Sequence, residues 1–250
     1  MSAAAFFNAA RAYKRELTGE RAIGLSDEDV RLLNEATVRR WKAPESPPDA
    51  RTPAREASPV SNNLLRPAAF YGALRASLGD LTQQQVDGFN VLLAAIGAAR
   101  WPIAWAAYGL ATAWWETAKT MQPVEEAFWK DDAWRRRNLR YYPWHGRGYV
   151  QLTWQANYEK ASEELQLGQA MLADPKLAMR PDIASKILVR GMEQGWFTKK
   201  KLADYLPIDG EAGHEAFKQA RRIINGTDKW VEIAKLAEKI QAALKAGGWA

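Results

Sequence analysis

Residues 103–126 read IAWAAYGLATAWWETAKTMQPVEE, an apolar run that ends on a lone carboxylate at Glu116 and meets Pro123 just before two more acids, Glu125 and Glu126. The apolar part, residues 101–115, is about 15 residues long, too short for a membrane span of roughly 20. It reads as a buried core helix. Nine positions separate Glu116 from Glu125, and on one continuous helix of 3.6 residues per turn they would point about 180° apart. Pro123 removes that conflict. It cannot sit inside the helix without losing a hydrogen bond and clashing with the carbonyl of Lys119. The helix must therefore stop near residues 120–122, and the chain can bring Glu125 back toward Glu116. Glu126 is adjacent and points elsewhere, which makes it the second choice.

Around this segment the pattern is almost wholly helical. The spacing predicts helices over residues 68–77, 82–99, 103–120, 154–165, 181–197, 213–224 and 229–244. Thr82 and Gln85 offer a capping box at the second of these. Residues 139–153 differ, with Tyr, Trp, Val and Gly in short alternation that suggests a small hairpin or an irregular loop. Upstream, Phe6, Phe7, Ala10 and Tyr13 recur at helical spacing, and Ser26 with Asp29 forms another candidate capping box. Two short helices to about Trp41 are expected to make an N-terminal hairpin, residues 1–42. Pro44, Pro47, Pro48, Pro53 and Pro59 then mark residues 43–66 as a semi-rigid linker. The main domain is expected over residues 67–250. The expected class is mainly α with a minor β element, which also describes the lysozyme-like architecture.

Composition narrows the chemistry. The 250 residues can bury one sizeable core plus an appendage. With no cysteine there is no disulfide framework, thiolate metal site or thiol nucleophile. His145 and His214 are the two histidines and have no zinc-hydrolase spacing. Catalysis would run on carboxylates and hydroxyls, without metal or cofactor. A formal net charge of +6 favours encounter with polyanions and contact with an anionic cell-envelope surface. No motif supports nucleic-acid binding. Residues 1–19 lack an uninterrupted apolar signal region, which predicts accumulation in the cytoplasm.

Each candidate residue has a plainer reading beside the functional one. Glu116 follows Trp114 and Trp115, and a carboxyl kept from water there would have a raised pKa suited to a general acid. It could equally be an exposed glutamate in a last helical turn. Glu125 and Glu126 could be helix N-terminal acids favoured by the macrodipole. In HGRGYVQLTWQANY, residues 145–158, Gly146 and Gly148 permit close backbone approach. Gln151, Thr153 and Asn157 share one side if the segment is extended as far as Thr153, and could line a saccharide groove. Thr153 is the candidate to hold an attacking water, or the N-cap of the helix that follows. Twelve tryptophans are present, of which one or two would stack on sugar faces, with Trp154 the candidate in this string. Arg147 and Tyr158 complete the candidate substrate contacts. Asn225 and Gly226 in RRIING read as a helix C-cap, and Lys199–Lys201 as solvated surface. The lysines and apolar face of residues 229–244 suit either a membrane surface or, more simply, packing on the core.

Four pieces occur in order: LATAWWETAKTMQPVEE, GRGYVQLTWQANY, LADP at residues 172–175, and RRIING at residues 221–226. Through them residues 68–240 resemble the glycoside hydrolase family 19 chitinase-like domain, in the form found in bacteriophage and prophage endolysins. The resemblance implies a lysozyme-like fold and inverting hydrolysis of β-1,4-glycosidic bonds. It places the first acid on Glu116, the second on Glu125, the hydroxyl residue on Thr153, groove residues on Gln151 and Asn157, and the family's Asn-Gly asparagine on Asn225. One departure stands: the family usually has histidine before the first acid, and here Trp115 precedes it. A phage setting implies peptidoglycan glycan strands as the partner, a monomer, and cytoplasmic storage until holin-type release to the wall. Residues 1–42 are then a candidate wall-binding module. A chitinase acting on chitin oligomers, and a noncatalytic wall-binding protein on a degenerate hydrolase domain, remain alternatives.

Overall fold

The computed structural model describes residues 63–249, so the expected N-terminal hairpin and most of the linker lie outside the described residues. From residue 67 onward the chain is mainly helical, with one small sheet. Its helices are α1 (Pro67–Leu78), α2 (Gln83–Ala98), α3 (Ile103–Glu116), α4 (Asp132–Asn138), α5 (Gln155–Glu164), α6 (Ala170–Ala173), α7 (Pro181–Gln194), α8 (His214–Ala220) and α9 (Trp230–Gly247). Three short 3-10 turns, Pro175–Met179, Leu202–Asp204 and Arg221–Ile223, join them.

Helix α3 runs through the interior. Apart from Ile103, Trp105 and Trp115 its residues are buried, including the small Ala104, Ala107, Ala111 and Ala113 that let neighbours approach closely. The main neighbour is α9, which also packs on α1. Ile233, Leu236, Ile240 and Leu244 of α9 are buried, while Lys235 and Lys239 face outward. The apolar face of this amphipathic helix is thus taken up by the core, and the membrane-surface reading is set aside. The chain closes on itself where Leu64 bridges Trp249 and the Arg66 amide donates to the Gly247 carbonyl at 2.8 Å.

Helix α2 starts as its capping box predicts. The Thr82 hydroxyl accepts from the Gln85 amide at 3.2 Å, and the Gln85 side chain accepts from the Thr82 amide at 2.8 Å. Helix α3 stops earlier than its pattern suggests, at Glu116 instead of near residue 120. The Thr117 hydroxyl donates to the Ala113 carbonyl at 2.7 Å and accepts from the Met121 amide at 3.1 Å, which offers the backbone a tight turn in place of another helical turn. Ala118, Lys119 and Met121 adopt positive φ there. The turn is seated on α2, where a Cβ at Gly88 would lie 1.8 Å from the Met121 carbonyl oxygen. Gln85 anchors it further by donating to the Lys119 carbonyl at 2.9 Å.

The β element is smaller and more distant in sequence than a local hairpin. Strand β1 (Val124–Glu125) pairs antiparallel with β2 (Arg147–Gly148), in the register Val124 to Gly148 and Glu125 to Arg147. Helix α4 lies in the connection, so residues 139–146 form turns and not a strand. Gly148 has φ +85, and a Cβ there would stand 2.7 Å from the Ala178 carbonyl oxygen. A side chain at that position would be both strained and crowded.

Candidate active site

Glu116 is the last residue of α3 and is fully buried, which removes its reading as an exposed end-of-helix glutamate. Its Oε1 accepts from Arg221 Nη1 at 2.7 Å, and Arg221 is also fully buried. Burial pushes the Glu116 carboxyl pKa up and the Arg221 guanidinium pulls it down, with the net direction upward. Desolvation, the largest influence, lowers the Arg221 pKa, but the Glu116 charge and hydrogen bond together with Tyr108 and Asp228 outweigh it and the net direction is again upward. The two directions oppose each other, because a proton on Glu116 removes the charge that favours Arg221. The geometry favours the upward shift of Glu116: Oε2 has no hydrogen-bond partner among the described residues and is the oxygen free to carry a proton.

Glu125 stands in a different setting. It lies in β1 and not at a helix N-terminus, and its side chain is 13% exposed. Arg147 Nη2 lies 3.0 Å from Oε1, Arg135 Nη2 lies 3.2 Å from Oε2, and His145 Nε2 meets Oε1 at 2.9 Å. Burial alone would raise this carboxyl, but the bond from His145 and the charges of Arg147 and Arg135 together lower its pKa to about 2. His145 is itself pushed down, first by burial and then by Arg147, against the pull of Glu125. His145 Nε2 lies 2.9 Å from both Glu125 Oε1 and Arg147 Nη2, and its Nδ1 has no partner among the described residues.

Glu126 is a structural residue. It is buried, accepts from the Tyr141 hydroxyl at 2.9 Å and from the Gly146 amide at 2.9 Å, and holds the loop that carries His145 against β1. Arg147 and Tyr158 are buried too, which corrects their assignment as groove surface. Arg147 Nη1 donates to the Tyr158 hydroxyl at 3.0 Å, and that hydroxyl donates to the His145 carbonyl at 2.8 Å. The pair braces Glu125 from behind, because a guanidinium with several fixed donors can satisfy a carboxylate, a hydroxyl and a carbonyl at once.

The remaining candidates converge on one cleft. Gln151, Thr153, Trp154 and Asn157 line it on the β2–α5 segment, and Thr198, Asn225 and Gly226 come from two distant loops. Thr153 is not the helix cap: α5 begins at Gln155 with Trp154 at the N-cap position, and the Thr153 hydroxyl donates to the Gln151 carbonyl at 2.8 Å. Asn157 Nδ2 donates to the Thr153 carbonyl at 2.7 Å. Gln151 has φ +52 and so sits in a turn rather than an extended run. Trp154 is 40% exposed, as a stacking ring would need. Asn225 lies one residue beyond Ile224, the C-cap of the 3-10 turn Arg221–Ile223, so it follows the helix end without being its cap.

Neither acid lines this cleft directly, and each is tied to a different part of its lining. Gln151 Nε2 donates to the Val124 carbonyl at 3.0 Å, next to Glu125. The Asn225 amide donates to the Arg221 carbonyl at 2.9 Å, and Arg221 holds Glu116. Two polar atoms of the cleft residues, Gln151 Oε1 and Asn225 Nδ2, are buried without a hydrogen-bond partner among the described residues. Gln151 Oε1 packs against Gly146, where a Cβ would stand 2.7 Å from it; the amide side chains lining the cleft, Asn157 and Asn225 among them, suit an amide- or hydroxyl-bearing ligand.

Arg135, His145 and Arg221 are the functional-site residues that motif reading missed as partners of the acids. Their only signal in the sequence is their place in the arginine run of α4, in HGRG and in RRIING. Among the described residues no cluster of three or more His, Cys, Asp or Glu side chains could hold a metal ion. No helix among them is long and apolar enough to cross a membrane. No protein-family model matches this chain, and no curated protein and no solved structure matches it either.

Proposed function

We propose that this chain is a glycoside hydrolase of the endolysin kind, with a lysozyme-like fold, cutting β-1,4 bonds of peptidoglycan by inversion. The observation that carries the reading is the divergence of two carboxylates: burial raises Glu116, whereas three cationic or hydrogen-bonding neighbours lower Glu125 to about 2. Two acids with proton affinities pushed apart are what acid–base glycoside cleavage requires. In this reading Glu116 protonates the leaving glycosidic oxygen from Oε2. Glu125 stays anionic, orients a water together with Thr153, and accepts its proton as the water attacks the opposite face of the sugar. Inverting geometry places the two carboxyl groups about 6.5–9.5 Å apart around that water. Gln151, Asn157 and Asn225 bind hydroxyl and acetamido groups, and Trp154 stacks on a sugar ring.

Glu116→Gln keeps an oxygen to accept from Arg221 but has no proton to give. Its rate of turbidity loss on outer-membrane-permeabilised bacteria should fall at least about 100-fold, with the far-UV circular dichroism unchanged. Lysis at the wild-type rate would remove the proposal.

A second reading, a noncatalytic wall-binding protein, draws on the enclosure of Glu116. An acid with no exposed surface reaches a glycosidic oxygen only if residues 221–226 or the end of α3 move. A wild-type protein that pellets with purified sacculi yet releases no reducing ends would establish that alternative.

A further inference from the structure

Most arginines near the acids and the cleft are engaged. Arg135 and Arg147 hold Glu125, Arg221 holds Glu116, and Arg136 reaches Asp132 at 3.7 Å and donates to the Tyr142 hydroxyl at 3.3 Å. Arg140 differs from them. It is exposed and has no hydrogen bond or ion pair among the described residues. Its guanidinium carbon lies 5.2 Å from the centroid of the Trp154 ring, the exposed aromatic of the cleft. The Tyr141 ring packs on the same indole, with centroids 5.0 Å apart and planes tilted by 58°.

A guanidinium resting on an aromatic face is held by cation–π attraction, and its N–H edges still point outward in their own plane. Those edges form a fork matched to a carboxylate. Cleft residues that suit hydroxyl and amide groups, with a positioned cation at the rim, describe a glycan bearing carboxylates beside its acetamido groups.

We infer that the Arg140–Trp154 pair is a carboxylate-reading subsite that selects an anionic glycan, one carrying lactyl-ether or peptide carboxylates, over a neutral one. The inference rests on the proposed function and names the feature of the substrate that this cleft recognises. Trp154 supplies the stacking face and the support for the guanidinium, and Arg140 supplies the charge.

The test compares full-length protein on native sacculi and on sacculi whose carboxyl groups have been amidated. Hydrolysis is followed by reducing ends, and binding is followed separately by pelleting, which needs no turnover. Wild type should prefer the native wall by about tenfold in both KM and pelleting affinity. In Arg140→Gln that preference should fall to near unity. Arg137→Gln removes the same charge from an exposed arginine that has no ring beneath it, and should keep the preference. Equal use of both walls by wild type, or a preference that survives Arg140→Gln, overturns the inference and leaves the proposed hydrolase standing. Equal loss in Arg137→Gln also overturns it, since diffuse charge would then explain the preference. Failure to cleave or bind either wall overturns the functional reading and this inference together.

Discussion

Glu116 and Glu125 are the same residue type nine positions apart, yet the fold treats them in opposite ways. Glu116 ends a core helix and meets one guanidinium through one oxygen, so desolvation prevails and its pKa rises. Glu125 sits in a two-residue strand with two guanidinium groups and an imidazole around it, so electrostatics prevail and its pKa falls to about 2. The difference teaches that enclosure alone does not set proton affinity. The number of positive partners within the enclosure does.

The comparison is broken most severely on the Glu116 side. Above the folded pKa of Glu116, Arg221→Met leaves a buried carboxylate with no counter-charge, and removing one partner of a buried pair costs about 3–5 kcal/mol. A large drop in the midpoint of urea unfolding is expected there, shrinking as pH falls and Glu116 takes up its proton; a loss that does not shrink with falling pH would contradict the raised pKa of Glu116.

Stability against pH separates the two sites more finely. The folded pKa of Glu125 lies below its unfolded value of 4.5, so its contribution, on the order of 3 kcal/mol, is present above pH 4.5 and lost as pH falls toward 2. The folded pKa of Glu116 is raised, so its contribution is present below pH 4.5 and lost as pH rises through the folded value. Urea titrations across pH should therefore show Glu125→Gln flattening the acid limb and Glu116→Gln flattening the limb above it. The reverse assignment would exchange the proposed roles of the two acids.

The smallest effect tests whether the sheet can be disturbed alone. Gly148→Ala places a Cβ at φ +85 and 2.7 Å from the Ala178 carbonyl oxygen. A cost of about 1–3 kcal/mol is expected. NMR titration of this variant should show the Glu125 pKa rising as β2 shifts Arg147, with Glu116 unmoved. A shift at both acids would mean that the two environments are mechanically linked.

Much of the frame was legible along the chain. The Thr82–Gln85 capping box and the apolar face of α9 both depend on neighbours within a few residues. Glycines 146 and 148 were also readable as points of close approach, although what approaches Gly148 is the Ala178 carbonyl, thirty positions away. Where reading failed, a distant partner decided the outcome. Arg147 and Tyr158 share a string with groove residues but turn inward, because Glu125 and the His145 carbonyl need donors. Thr153 is the local exception: its hydroxyl donates to the Gln151 carbonyl two residues back, and Trp154 takes the cap position. The early end of α3 depended on Gly88 of α2 admitting the turn at Met121.

By itself the sequence determined a mainly helical chain, the location of most of its longer helices, and a set of acids, amides and aromatics clustered around residues 111–158. Periodicity, capping and proline geometry act locally and need no folded context. Only the tertiary structure decided which acid would be starved of positive charge and which supplied with it. Arg221 lies 105 residues from Glu116, and contacts of that kind exist only once the core has closed.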